Sequence, residues 1–488
     1  MKRVPLHWQI MLGMLLGALI GISLNAYAGV STTSVPSEEL PAGFTSIEFK
    51  DSTDLIAIKL QPPEGDAKVI HIDGTRKAEN SVATLKKLSE TEPEIHSLFV
   101  KYGRSRSRWI GDCAMMWGGL FLRLLKMVAV PLIVTSLITG VMSVGNASQL
   151  GKMFGRTLLY YVSTSMLAIM TGLLAVNIIR PGVGSDNSMA AADTPAVTGD
   201  IYSILFTQLE TMIPANPFAA LAAGSFLSII SFSLAFSIFA VMIGGKVAQT
   251  IREFFEASFE VMMKMTMAII KLAPLGVFFL MLNVTATQGP GVFLSLAWYM
   301  LAVTCALAFH ALVTLPLIVK YIAKRNPFEF MNAMNPALLT AFSSASSNGT
   351  LPLTLSSVEQ RAGISNKVSS FVLPLGATIN MDGTALYEVV AVLFIAQFSG
   401  IDLSLSQQII IAFTALLASI GAAGIPHAGL VMMVIILQTV GLPLESQGII
   451  LAVDRVLDMC RTMVNGWSDS CGCAVIARFE ADSSKVAG

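Results

Sequence analysis

Apolar positions in this chain come in long unbroken runs, without the regular polar interruptions of a helix or strand that faces water. No Asp, Glu, Lys or Arg occurs in 8–35, 127–151, 157–179, 211–245, 272–319, 330–358 or 403–444. A helix needs about 20 apolar residues to cross a bilayer, so several of these runs exceed one span and must conceal turns. The pattern predicts a first transmembrane helix in 1–29 and further helices through 109–325. Those spans are placed at 109–145, 154–180, 200–245 (broken around Pro214 and Pro217), 250–284 and 291–322. A transmembrane barrel would instead show ten-residue alternating segments. Lys2 and Arg3, the apolar stretch and Ala26-Tyr27-Ala28 also imitate a secretory signal peptide. The run is long for such a core and fits a start helix with its basic end in the cytoplasm.

The segment 326–480 is patterned differently. In 330–358 two apolar arms flank a polar tip, Ser343-Ser344-Ala345-Ser346-Ser347-Asn348-Gly349-Thr350, followed by Leu351-Pro352. Arms expected to fall short of ~17 residues suit a hairpin that enters and leaves on one side. The stretch 405–444 repeats the design around Gly421-Ala422-Ala423-Gly424-Ile425-Pro426-His427-Ala428-Gly429. Each hairpin precedes a carboxylate-bearing helix, at 365–398 and 446–478, with 481–488 left as a tail. Two interrupted segments in corresponding positions suggest an inverted repeat around a site at mid-membrane depth.

Residues 30–108 hold 23 of the chain's 62 charged residues and read as a soluble insert. Alternation in Ser46-Ile47-Glu48-Phe49-Lys50 and Val69-Ile70-His71-Ile72-Asp73 predicts a few strands, and Pro62-Pro63 with Gly65 a turn. One helix before it places the insert outside the cytoplasm, although the basic run Lys101 to Arg108 argues the other way under the positive-inside rule.

Composition narrows the class. The 488 residues are 54% hydrophobic and 13% charged, about half the ~25% charge of soluble proteins. Lys and Arg total 31 against 31 Asp and Glu, so no net field recruits nucleic acid. Five cysteines, three of them between Cys460 and Cys473, do not form a disulfide framework. Cys471 and Cys473 on one helix point their thiols apart, and His310 and His427 read as packed or pore-facing rather than catalytic.

The chemistry concentrates late. Asp454, Asp458, Arg461, Thr462, Asn465 and Asp469 are spaced 4, 7, 8, 11 and 15 residues from the first, holding one helical face over roughly 22 Å. Charges in a lipid-crossing helix are costly unless they line a polar cavity. A second cluster is Gly376-Ala377-Thr378-Ile379-Asn380-Met381-Asp382-Gly383-Thr384, then Tyr387 and Glu388. Hard oxygen donors without a soft ligand suit Na⁺ rather than a transition metal. The glycines loosen the helix, which frees backbone carbonyls to coordinate.

Four motifs in order carry a resemblance: Gly349-Thr350-Leu351-Pro352, Asn380-Met381-Asp382-Gly383-Thr384, Ala423-Gly424-Ile425-Pro426 and Asp458-Met459-Cys460-Arg461-Thr462. Together they resemble the glutamate transporter family, the dicarboxylate/amino acid:cation symporters, over everything except the insert. The resemblance implies an all-α polytopic membrane protein with eight transmembrane helices and two re-entrant helical hairpins. It further implies inverted repeats, a homotrimer in membrane lipid and an elevator mechanism.

In members that carry amino acids, the residue at Asp458 would hold the substrate ammonium and that at Arg461 the side-chain carboxylate. Thr384, Thr462 and Asn465 would add contacts, with Ser346, Ser347 and the backbone near Gly424 and Gly429. Na⁺ would be shared among Asp469, Asn465 and the Gly376 and Asn380 carbonyls at one site. A second site would use Asp382, Asn380, Tyr161, Thr164 and Ser165, the last three within a stretch that matches the family's third helix. A third would use Thr378 and carbonyls of Ser419, Ile420 and Ala422. Glu388 stands where proton-coupled members carry Glu, and desolvation can hold such a carboxyl neutral.

Members lacking the Arg carry neutral amino acids and C4-dicarboxylate carriers lack the Asp, so this chain is expected to carry L-aspartate or L-glutamate. A C4-dicarboxylate or neutral amino acid symporter, an intramembrane aspartyl enzyme built on Asp382 and Asp458, and a channel are the competing classes. The short N-terminus favours a bacterial inner membrane. Asn348, Trp467 and Ser468 depart from the family's usual residues, and Trp467 is expected to alter the first Na⁺ site or the aqueous path. Ala345 and Met459 stand where many members place an extra arginine, so the resemblance gives no support for potassium counter-transport.

Overall fold

Helix α1 (Leu6–Ala28) carries no Asp, Glu, Lys or Arg, and small residues rather than charge decide how it packs. Gly13, Gly17 and Gly21 repeat every fourth residue on the face against α9 (Ala273–Gln288). A Cβ at Gly13 or Gly17 would lie 2.4 Å from the Pro274 or Phe278 carbonyl oxygen. Close backbone approach through small-xxx-small faces is how helices associate in lipid. The molecule is described as a computed structural model over residues 6–52, 56–72, 81–82, 85–142, 152–183, 206, 210, 212–421, 428–442 and 447–486.

The insert forms strands β1 (Ser31–Ser34), β2 (Ser46–Asp51), β3 (Ile56–Gln61), β4 (Lys68–Ile72) and β5 (Ser81–Val82) in one sheet of order β1-β2-β3-β4-β5. Only the β4–β5 pair is parallel. Alternation in β2 buries Ile47, Phe49 and Asp51. The two apolar residues join Ile58, Leu60, Ile70 and Phe99 in a core of the insert's own, with Phe49 edge-on to Phe99 at 5.6 Å. Helices α2 (Leu85–Thr91) and α3 (Pro93–Leu98) complete it.

The buried Asp51 ties this sheet to the first long helix, α4 (Arg106–Met142). Its carboxylate accepts from Ser105 N at 2.8 Å and from Arg108 Nε at 2.9 and 3.0 Å. Asp51→Asn would leave Arg108, 17% exposed, without its counter-ion, at a cost on the order of 3 kcal/mol. Amide exchange in β2 and β3 is expected to quicken by roughly 100-fold, as measured on the full-length protein by hydrogen exchange.

The spans follow with informative differences. Helix α5 (Lys152–Ile179) matches expectation. The run 200–245 breaks where the prolines suggested, at Ile213–Asn216, and again further on. Pro217 starts α6 (Pro217–Ala223), with the Asn216 side chain capping it, and the second break falls at Gly224 (φ 69°) before α7 (Phe226–Ile243). Proline is tolerated in a helix's first turn, and a left-handed residue favours glycine. The expected span 250–284 is two helices, α8 (Gly245–Ile270) and α9, bent by 48° ahead of Pro274. Helix α10 (Val292–Phe309) passes through a wide turn, His310–Thr314, into α11 (Leu315–Tyr321).

The segment 327–356 folds as a helical hairpin, α12 (Pro327–Ser344) and α13 (Ser347–Ser356), turning at Ala345 (φ 52°). The first arm has 18 residues, longer than expected, because the Asn326 cap and Pro327 extend it past the apolar run. Helices α14 (Asn366–Ile379) and α15 (Asp382–Phe398) are interrupted at Asn380-Met381. Helices α16 (Leu405–Gly421) and α17 (Ala428–Thr439) flank the second tip, and α18 (Gln447–Val486) closes the chain. Among the described residues, five helices are long and apolar enough to cross a membrane, and six if the bent pair counts as one span. The chain is thus mostly helical and polytopic, with α15 almost wholly inside it and α18 packed against α12, α14 and α15.

Candidate functional site

The polar face of α18 is buried, not solvated. Asp454, Asp458, Arg461, Thr462, Asn465 and Asp469 are each at most 5% exposed. Their helical spacing lets them meet without any loop. Arg461 Nε donates to Asp458 Oδ1 at 2.9 Å, and Nη1 donates to Asp454 Oδ1 at 3.2 Å. Tyr387, one turn into α15, donates its hydroxyl to Asp454 Oδ1 at 2.9 Å while its ring lies 4.3 Å beneath the guanidinium carbon. Tyr299 of α10 supports that ring in turn, at 6.5 Å between centroids. A guanidinium held by two carboxylates and an aromatic face has a fixed orientation before any ligand arrives.

Glycines bring backbone to this group. A Cβ at Gly383 would sit 2.5 Å from the Arg461 carbonyl oxygen, so α15 and α18 touch main chain to main chain there. At Gly429, in the first turn of α17, a Cβ would be 2.6 Å from Arg461 Nη1. The second hairpin therefore closes on the guanidinium through a residue with no side chain. Gly424, the other glycine expected near the ligand, lies outside the described residues, as do Ala422 and His427. Thr384 and Asn465 meet directly, Asn465 Nδ2 to Thr384 Oγ1 at 3.1 Å, while Asn465 Oδ1 accepts from Gly383 N at 2.7 Å. Ser346 caps α13, its Oγ accepting from Gly349 N at 3.1 Å, with the half-buried Ser347 next in line.

The interruption at Asn380-Met381 supplies a second polar centre. Asn380 Nδ2 donates to Asp469 Oδ1 at 2.9 Å and to Ser468 Oγ at 3.1 Å, and Thr164 Oγ1 approaches Asn380 Oδ1 at 3.4 Å. Asp382 accepts from Ser165 Oγ at 2.6 Å and from Ser468 Oγ at 2.6 Å. The structure thus brings Thr164, Ser165, Asn380 and Asp382 together and links Asp469, expected at a separate site, to them through Asn380 and Ser468. Tyr161 is placed differently: its hydroxyl bonds the Val372 carbonyl at 2.6 Å and lies beside Gly376 and Asp469 rather than on Asp382. Thr378 turns its methyl toward Gly140 of α4, and Ser419 bonds back to the Leu416 carbonyl at 2.8 Å. No group of three or more His, Cys, Asp and Glu able to hold a metal occurs among the described residues. The donors are nearly all oxygens, hydroxyl, amide and carboxylate, and this set fits Na⁺; the Gly376 carbonyl expected among them accepts from Asn380 N at 2.8 Å.

Three residues were missed or misread from sequence. Trp467 does not face the Asp469 site, since two helical positions turn the side chain by about 200°. It is buried, donates Nε1–H to the Ala311 carbonyl at 3.1 Å and packs on Phe330 at 5.5 Å. His310 is packed as expected, but its Nε2 stands 3.1 Å from Asp382 Oδ2; the only signal in the sequence was a histidine inside a charge-free run. Tyr387 gave no signal beyond its place between Asp382 and Glu388. Glu388 is fully buried, and neither carboxyl oxygen has a hydrogen-bond partner among the described residues.

The sequence matches the model of the sodium:dicarboxylate symporter family over residues 6–479. It is similar to an excitatory amino acid transporter of Caenorhabditis elegans, 36% identical over 406 residues, spanning 74% of this chain and 80% of that one. Excitatory amino acid transporter 3 of Mus musculus is 36% identical over 411 residues, covering 74% and 78%. The proton/sodium-glutamate symport protein of Bacillus caldotenax is 34% identical over 376 residues, covering 76% and 89%. The family and these relatives are transporters, not enzymes, and the buried charges of α18 fit that chemistry. The chain belongs to the sodium:dicarboxylate symporter family.

Proposed function

We propose that this protein is a secondary active symporter that couples Na⁺ entry, with a proton on Glu388, to uptake of L-aspartate or L-glutamate. The observation that carries the reading is Arg461, buried against Asp454 and Asp458. An acidic amino acid can exchange partners there without leaving Asp458 or Arg461 unpaired. Its ammonium takes the place of the guanidinium on Asp458, and its side-chain carboxylate takes the place of Asp458 on Arg461. Asp454 and Tyr387 keep the guanidinium aimed throughout. A C4-dicarboxylate would set a carboxylate against Asp458, and a neutral amino acid would take Asp458 from Arg461 without supplying a carboxylate in its place.

Charge explains the coupling. Asp382, Asp454, Asp458 and Asp469 are buried with Arg461, and an acidic amino acid adds one more net negative charge. Holding that excess out of water is costly without cations, so Na⁺ at Asp469 with Asn465 and at Asp382 with Asn380 makes anion binding favourable. Thr378 with the Ser419–Ala422 carbonyls is the third cation position in this reading. The hairpins act as gates, eight helices and two re-entrant hairpins form an inverted-repeat core, and three chains assemble as a trimer working by an elevator mechanism in a plasma membrane, a bacterial inner membrane in this reading.

The test is uptake of labelled L-aspartate into proteoliposomes under an inward Na⁺ gradient, with choline as control. Accumulation that needs Na⁺ supports the reading, and equal uptake in choline overturns it. Glu388 is argued separately from its unpartnered oxygens, because an ionised carboxylate there would go unsatisfied while a neutral acid loses far less. Glu388→Gln is expected to keep Na⁺-driven uptake within about threefold while removing the response to an imposed pH gradient. A response equal to that of the unaltered protein would assign the proton elsewhere.

A further inference from the structure

We propose that Ser468 and His310 clamp one oxygen of Asp382 and so set the Na⁺ affinity of that carboxylate, a role that rests on the cation reading above. Asp382 opens α15 fully buried, and its two oxygens are treated differently by the elements around it. Oδ1 meets one hydroxyl, Ser165 of α5 at 2.6 Å. A hydroxyl can turn its proton aside and offer a lone pair to the same cation. Oδ2 meets two donors from two other elements, Ser468 Oγ of α18 at 2.6 Å and His310 Nε2 at 3.1 Å. His310 Nδ1 is buried and has no partner among the described residues, which leaves Nε2 as the nitrogen carrying the proton. With Oδ2 held on two sides, the carboxylate cannot swing, and Oδ1 is presented in one direction.

Neighbouring contacts reinforce the clamp. His310 begins the wide turn between α10 and α11, and the Ala311 carbonyl in that turn accepts the Trp467 indole N–H at 3.1 Å. Two consecutive residues of α18 therefore work together: Trp467 braces the turn that carries His310, and Ser468 reaches the oxygen His310 holds. The Ser468 hydroxyl also accepts from Asn380 Nδ2 at 3.1 Å, and the same nitrogen donates to Asp469 Oδ1 at 2.9 Å. A continuous chain of hydrogen bonds thus joins the carboxylates of the two proposed cation positions. Outer groups of this kind orient ion ligands, and removing one typically costs 10- to 100-fold in ion affinity.

The experiment is Na⁺ titration of L-aspartate uptake in proteoliposomes, with the aspartate KM read at saturating Na⁺. Ser468→Ala and His310→Ala are each expected to raise half-saturating Na⁺ by about 10-fold while changing that KM by less than about twofold. Ser468→Thr and His310→Gln retain a donor and are expected to stay within about twofold of the unaltered protein in both. Should an alanine variant fail to fold, Ser468→Gly and His310→Leu, which also remove the donor, are read in its place. A fall in maximal rate with unmoved half-saturating Na⁺ would mean a merely structural role and overturn the clamp. Na⁺-independent uptake by the unaltered protein would overturn the cation reading itself, a distinct failure.

Discussion

Arg461→Cys is expected to lower uptake of L-aspartate and L-glutamate by about 100-fold or more at subsaturating substrate, while Na⁺-driven uptake of small neutral amino acids appears. The magnitude follows from the ion pair that the substitution removes: a charge-assisted guanidinium–carboxylate pair in a buried site contributes about 3 kcal/mol, which is roughly two decades in affinity. The gain follows from what remains. Asp458 is still buried one turn away to meet an ammonium, and Gly429 still leaves room above the vacated position. Appearance of neutral uptake shows that the variant is folded and in the membrane, so loss of aspartate uptake cannot be ascribed to misfolding. Competition between labelled aspartate and unlabelled serine in the two proteins measures both effects. Retention of aspartate uptake within about fivefold would remove Arg461 from the substrate site.

Asp382→Asn is expected to raise half-saturating Na⁺ by about 100-fold or more. The substitution preserves shape but removes the negative charge in a position with no exposure. Loss of one partner from a buried charge pair costs about 3–5 kcal/mol. The new amide also presents an N–H₂ group to Ser165, Ser468 or His310 in place of an acceptor. Uptake measured from low to molar Na⁺ distinguishes weakened cation binding, recovered at high concentration, from a lost substrate site. An unchanged Na⁺ dependence would move the coupling ion away from Asp382.

Much of the candidate site was legible because helical periodicity translates directly into spatial proximity. Asp458 and Arg461 are three residues apart, a spacing at which side chains on a helix touch, and the structure pairs them so; Asp454, seven residues before Arg461 on the same face, is reached by the long guanidinium arm. A helix loosened near Asn380 was legible too, from glycines and polar residues inside an apolar run, but its full interruption at Asn380-Met381 was not. The insert's strands followed from alternation, because a sheet with one buried face imposes a period of two.

Elsewhere the signal was absent for physical reasons. Gly13, Gly17 and Gly21 lie in a run whose apolar character says nothing of a neighbour, yet they set the packing against α9. The bend between α8 and α9 was not read either, because the change from a charged to a charge-free stretch says nothing of the angle between two helices.

The sequence by itself determined the class of molecule, the buried ionic face of α18, the helix loosened near Asn380 and the charge chemistry that favours an acidic amino acid with cations. Only the tertiary structure decided which oxygen of Asp382 is anchored and by what. Ser165 and Asp382 are 217 residues apart, His310 and Asp382 72, and Ser468 and Asp382 86. No local periodicity reaches across such separations. Trp467 facing Ala311 and Tyr387 lying under Arg461 are likewise consequences of how α10, α15 and α18 stack. Side-chain direction along one helix can be read from spacing, but the neighbour it meets depends on the rotation and depth of a different helix, which packing of the whole core sets.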